Sequence, residues 1–151
     1  MKNIEQLKSV MKVRLRQVRD GRVKFKVDTI TRPADVYEAV RAWYKGLDRE
    51  SLGVLALDSQ NQPVAFQIVS VGGLNTTRTH PREIFKLLIL VNACGFVLTH
   101  NHPSGCLEAS PEDIEFTRSI QRAAELLGFE LFDHIIVTDA GFSSLREKGL
   151  L

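Results

Sequence analysis

A chain of 151 residues with 44% hydrophobic and 25% charged residues, ten glycines and five prolines has the make-up of one globular domain. It is short for two and is neither collagen-like nor low in complexity. Its net charge of +2 hides an uneven spread: residues 1–26 carry nine Lys or Arg against two acids, the remainder eleven against sixteen, so a basic arm precedes an acidic body. No apolar run approaches the roughly 18 residues that cross a bilayer, and the opening MKNIEQLKSV lacks a signal peptide's apolar stretch. Cys94 and Cys106 make neither a disulfide framework nor a Cys-x-x-Cys pair, so the expectation is a cytoplasmic protein with no membrane contact.

Residues 11–28 alternate apolar and charged, with Asp20-Gly21 between the two runs, and predict a hairpin. A three-residue loop with Gly21 in the left-handed region sets Val13 against Val27 and Leu15 against Phe25. The other face then pairs Arg14 with Lys26 and Arg16 with Lys24. Like charges facing each other cost stability unless an anion offsets them. Two readings stay open: a solvated edge whose Lys and Arg discourage aggregation, or a face for nucleic-acid phosphate formed by Arg14, Arg16, Lys24 and Lys26. A homodimer through the open hairpin edge is a further expectation. The basic arm, residues 1–28, is set apart from a domain over 29–151.

Thr31-Arg32-Pro33 opens a helix to Lys45, with Val36, Val40 and Trp43 or Tyr44 on one stripe and Gly46 closing it. Strands 52–57 and 63–71 flank the turn 58–62 as a meander that ends at Gly72-Gly73. His80-Pro81 starts a helix whose run IFKLLILV is apolar nearly all round, which predicts burial against a sheet. Gly95 is expected to stop it, and Cys94 is expected in the core. Phe96-Val97-Leu98 is a short buried strand running into HNHPSG, residues 100–105. Ser110-Pro111 begins a helix to Leu127 that stops at Gly128, residues 130–137 form a strand, and a Gly141 turn leads into the final segment. Strands and helices mix without strict alternation, so the fold class is α+β or a mixed-sheet α/β sandwich.

One stretch carries chemistry. His100 and His102 at a strand's end offer two imidazoles on one side. Asp113, in the first turn of the next helix, lies on the core-facing stripe Asp113, Thr117, Ile120, Ala124, Leu127. Two imidazoles, one carboxylate and an open position describe a catalytic zinc site rather than a structural one. The plainer alternative is a capping box, with Ser110 as cap, Pro111 at the first position and Asp113 complementing the helix dipole. His80 and His134 have simpler explanations, a helix cap and a contact with Asp133.

The pattern H-x-H-P-x6-S-x2-D at 100–113 resembles the JAMM (MPN+, JAB1/MPN) metalloenzymes. With HPREIF (80–85) and FDHIIV (132–137), it looks specifically like the bacterial RadC family, over roughly residues 29–148. The resemblance implies a JAB/MPN cytidine-deaminase-like fold and one zinc ion on His100, His102 and Asp113. It further implies metalloprotease chemistry on a peptide or isopeptide bond of a protein or peptide substrate, with Ser110 stabilising the oxyanion. An upstream glutamate serves such enzymes as general base; Glu50, just before the strand LGVLAL, fits best, ahead of Glu83, Glu108 and Glu112. The chain departs from RadC after HNHPSG, where Cys106-Leu107-Glu108-Ala109 replaces an acidic, proline-bearing continuation. Cys106 is therefore either an inert loop thiol or an extra ligand. The RadC name also carries a DNA-repair association, so the alternative function is a repair-associated or mobile-element-associated nucleic-acid-binding module using the basic hairpin.

Overall fold

The computed structural model describes residues 27–72 and 79–151, together with Arg14 and Gly21. The hairpin expected over 11–28, with Arg16, Lys24 and Lys26, lies outside these residues apart from those two and its end at Val27-Asp28. Arg14 is exposed and Gly21 has the expected positive φ, 99°.

Eight elements follow: α1 (Pro33–Tyr44), β1 (Ser51–Leu57), β2 (Pro63–Val71), α2 (Pro81–Leu90), β3 (Gly95–Asn101), α3 (Pro111–Leu127), β4 (Glu130–Thr138) and β5 (Gly141–Ser144). The strands form one mixed sheet in the order β2-β1-β3-β4-β5. Only the β3–β4 pair is parallel. Parallel neighbours need a crossover, and α3 supplies it.

Two apolar cores sandwich the sheet. Leu52, Val54, Ala56, Phe96 and Leu98 face α2 and α3 through Ile84, Leu88, Phe116 and Ile120. Leu55, Leu57, Val97, Ile135 and Val137 face α1 through Val36, Val40 and Tyr44. Covered on both sides, β1 and β3 are buried at every residue, which explains their near-continuous apolar sequences. The α+β mixed-sheet expectation is the observed class.

Gly53 lets α1 settle. A Cβ there would collide with the Tyr44 hydroxyl and lie 2.8 Å from Thr99 Oγ1. Tyr44 uses that space to donate to the Thr99 carbonyl at 2.9 Å, with Thr99 Oγ1 at 2.6 Å. Trp43, the other candidate for the buried stripe, is 45% exposed.

Three expectations are corrected. The second helix ends at Leu90, not near Gly95: Asn92 takes φ 53°, and the Ala93 N–H returns to the Leu88 carbonyl at 3.0 Å. Asn is among the few non-glycine residues that tolerate this conformation. Gly95 instead opens β3, where a side chain would strike the Phe132 ring. Cys94 is exposed, because its main chain, bonded to Leu57 and Glu130, joins the sheet while its thiol points outward. Ile89 and Leu127, expected against the core, are 54% and 51% exposed; each helix buries one stripe only. By contrast, α3 starts and stops as expected, with Ser110 as N-cap and Gly128 left-handed at φ 78°.

Candidate metal centre

The site lies where β3 ends and α3 begins. Strand pairing sets its first half: Leu52 faces His100 across the antiparallel β1–β3 ladder. His100 thus shares the α2/α3 face with Leu52, and it is fully buried. Two residues on, His102 projects from the same side, with the two Nε2 atoms 2.8 Å apart and the rings at 63°.

A turn follows. The Gly105 N–H donates to the His102 carbonyl at 3.0 Å, and Gly105 adopts φ 79°. This folds the loop back so that the Cys106 carbonyl accepts the His102 Nδ1–H at 2.7 Å. Cys106 therefore contacts the site through its main chain. Its side chain is outside the group of converging ligand atoms.

The α3 N-terminus supplies the acid. Ser110 Oγ accepts the Asp113 N–H at 3.1 Å, and Asp113 Oδ2 accepts the Ser110 N–H at 2.8 Å, which completes the capping box. Asp113 is 4% exposed. Its Oδ1 lies 3.5 Å from His100 Nε2 and its Oδ2 lies 3.5 Å from His102 Nε2. Cap and candidate ligand are one residue, because the cap uses only Oδ2 and orients the carboxylate toward the histidines.

His100, His102 and Asp113 form the one group of three such side chains found among the described residues, their ligand atoms all within 4.8 Å of one another. The donor set fits a divalent ion. A carbonyl accepts but never donates, so His102 carries its proton on Nδ1 and aims the Nε2 lone pair inward. Burial alone would raise the Asp113 pKa, but the imidazoles of His100 and His102 and the Ser110 N–H beside its carboxylate hold it well below the usual carboxylate range. His102 is raised by its bond to Asp113, against the opposing effect of burial, and further by the Cys106 carbonyl and the charges of Asp113 and Glu50. Two imidazole nitrogens 2.8 Å apart beside a buried carboxylate form a donor set that a divalent cation would fit.

Glu50 precedes β1 and is half-buried. Two residues beyond the Leu52–His100 pair, the antiparallel register carries it toward His102, and its charge is felt there. Its main chain is pinned: its carbonyl accepts the Gly72 N–H at 2.7 Å, and the buried Asn101 amide bonds the Arg49 carbonyl and the Ser51 N–H on either side. The rival acids lie elsewhere. Glu83 pairs with Lys86 at 2.5 Å, Glu108 pairs with Lys148 at 3.2 Å, and Glu112 is exposed. His80 caps α2 by accepting the Arg82 N–H at 3.2 Å, as expected.

Sequence reasoning missed three neighbours of the site. His134 is not held by the Asp133 side chain, which bonds Ser144 and the main-chain N–H groups of His134 and Arg146. Its ring instead lies between His100, at 2.7 Å, and Thr117, at 2.6 Å, and burial holds it neutral. Thr117 stood on the expected stripe, one turn beyond Asp113, without a role. Asn101 was passed over between the two histidines. The signal for all three lies in strand register and helix phase rather than in any local motif.

A family model described as a RadC-like JAB domain matches residues 30–150. UPF0758 proteins of Desulforamulus reducens and Moorella thermoacetica are each 43% identical to the chain, over 79% and 81% of its length. One from Syntrophomonas wolfei is 40% identical over 81%. The match takes in 52–54% of those relatives, so the chain spans about half their length.

Proposed function

The chain belongs to the RadC-like JAB domain family, and from that premise we propose that it is a zinc-dependent hydrolase of the JAMM type that cleaves a peptide or isopeptide bond. The observation that carries the reading is the convergence of His100, His102 and Asp113 beside a pinned Glu50. These three side chains would hold the ion. When bound, zinc would polarise the scissile carbonyl and lower the pKa of water.

The chain's own residues do the rest. Glu50 accepts a proton from the attacking water and returns it to the leaving nitrogen, the two halves of general base and general acid catalysis. Ser110 Oγ already accepts the Asp113 N–H, which leaves its own proton to donate to the developing oxyanion. Asn101 and Gly72 keep the Glu50 main chain fixed while the proton moves. A cleft of about 860 Å³ runs along α1, lined by Trp43, Tyr44, Leu47, Asn101 and Pro103, and includes His102 but not His100, Asp113, Ser110 or Glu50.

The test is a screen of peptide and isopeptide libraries with zinc-loaded wild type beside Glu50→Gln. Cleavage by wild type that Glu50→Gln abolishes supports the reading, whereas equal cleavage by both removes Glu50 from its role. The nucleic-acid reading has no support to add: Arg16, Lys24 and Lys26 lie outside the described residues.

A further inference from the structure

We infer that Thr117 and His134 form a hydrogen-bond relay that starts at the Asp113 main-chain carbonyl and fixes the tautomer of His100, leaving its Nε2 unprotonated and ready for a metal. The inference rests on the metal-site reading above and deepens it.

The relay has a fixed direction. Thr117 Oγ1 lies 2.6 Å from the Asp113 carbonyl oxygen, an atom that only accepts, so the hydroxyl proton is committed there. Thr117 Oγ1 also lies 2.6 Å from His134 Nδ1. With its own proton spent, the hydroxyl can only accept, so His134 carries a proton on Nδ1. Fully buried, with no carboxylate among its ring's hydrogen-bond partners, His134 carries that one proton only, so a lone pair on Nε2 faces His100 Nδ1 at 2.7 Å. His100 must donate across that contact. Its Nε2 is therefore the bare nitrogen, and it points to His102 Nε2 and Asp113 Oδ1.

Asp113 thus acts at both ends. Its carboxylate faces His100 directly, and its carbonyl sets the proton on the far side of the same ring through two intermediaries. Thr117, His134 and His100 are all fully buried, so water does not compete for these contacts. Neutral imidazole in water favours the opposite tautomer, with the proton on Nε2, so the pre-set state has a cause only in the relay. Outer-shell partners of this kind orient metal-binding histidines, and their loss typically costs 10–100-fold in metal affinity.

The test has two readouts. In the metal-free, nitrogen-15-labelled chain, long-range proton–nitrogen spectra report the tautomers directly; protons on Nδ1 of both His100 and His134 support the relay, and a proton on Nε2 of either overturns it. Zinc affinity by chelator competition is then compared for wild type, Thr117→Val, which keeps the shape but removes the hydroxyl, and Thr117→Ser, which restores it. A loss of about 10–100-fold in Thr117→Val, with Thr117→Ser close to wild type, is expected. Wild-type affinity in a folded Thr117→Val overturns the inference. If wild type binds no zinc, the metal reading fails, while the metal-free tautomers still decide the relay.

Discussion

Asn101 Oδ1 accepts the Ser51 main-chain N–H at 2.8 Å, and the same amide donates from Nδ2 to the Arg49 carbonyl at 3.1 Å. One side chain thereby takes the place of a neighbouring strand on both sides of Glu50. Asn101 lies between the two histidines on the opposite face of β3, so the strand end that offers two imidazoles to one side anchors the proposed base through Asn101 on the other.

Replacing Asn101 by Ala leaves a carbonyl and an N–H without partners, at about 1–3 kcal/mol of stability. Metal content should stay at the wild-type level while kcat falls at least tenfold. Adding Asn101→Ala to Glu50→Gln should cause no further loss of kcat, since both act through one group. Independent, multiplying losses in the double variant would remove the link between Asn101 and Glu50.

Gly53→Ala forces a methyl group against the Tyr44 hydroxyl and Thr99 Oγ1. Overpacking of this kind costs about 1–3 kcal/mol, read as a lower urea midpoint. Combining it with Tyr44→Phe removes one of the colliding atoms, so the double variant should be more stable than the sum of the single effects requires. Strict additivity would mean that Tyr44 is not what Gly53 accommodates.

Asp35 ties the start of α1 by accepting from the Thr31 N–H, the Thr31 hydroxyl, the Arg32 N–H and Arg32 Nε. Burial opposes ionisation there, but these bonds prevail and lower the pKa from 3.8 to about 2. A depressed carboxylate stabilises the fold above its unfolded pKa, and that contribution is lost as pH falls through the folded value. Asp35→Asn, which removes the charge, should therefore cost on the order of 1–2 kcal/mol at pH 7, the scale that the lowered pKa sets. The gap to wild type in urea midpoint should narrow as pH drops from about 4 toward 2. A gap constant over that window would contradict the assignment.

Much of the fold is written locally. Two apolar runs flanking the turn Asp58–Gln62 produce the antiparallel β1–β2 pair, and Ser110, Pro111 and Gly128 delimit α3 within the expected bounds. The spacing of His100, His102 and Asp113 brings all three together for the same reason: strand period, short return loop and helix start are properties of contiguous sequence. What was not legible depends on tertiary register. Gly95 read as a helix stop because its actual neighbour, Phe132, is distant in sequence. Cys94 read as core because the early left-handed turn at Asn92 was not anticipated. His134 read as a partner of Asp133 because only the parallel pairing of β3 with β4 brings its ring to His100.

The most direct test of the central claim is metal content by elemental mass spectrometry on protein purified without chelator, for wild type, His102→Ala and Glu50→Gln. About one zinc per chain is expected in wild type and in Glu50→Gln, with none in His102→Ala, because Glu50 acts beside the donor set and His102 is part of it. A wild-type chain that holds no metal even after zinc is supplied would contradict the account and reduce the site to a capped helix beside two histidines.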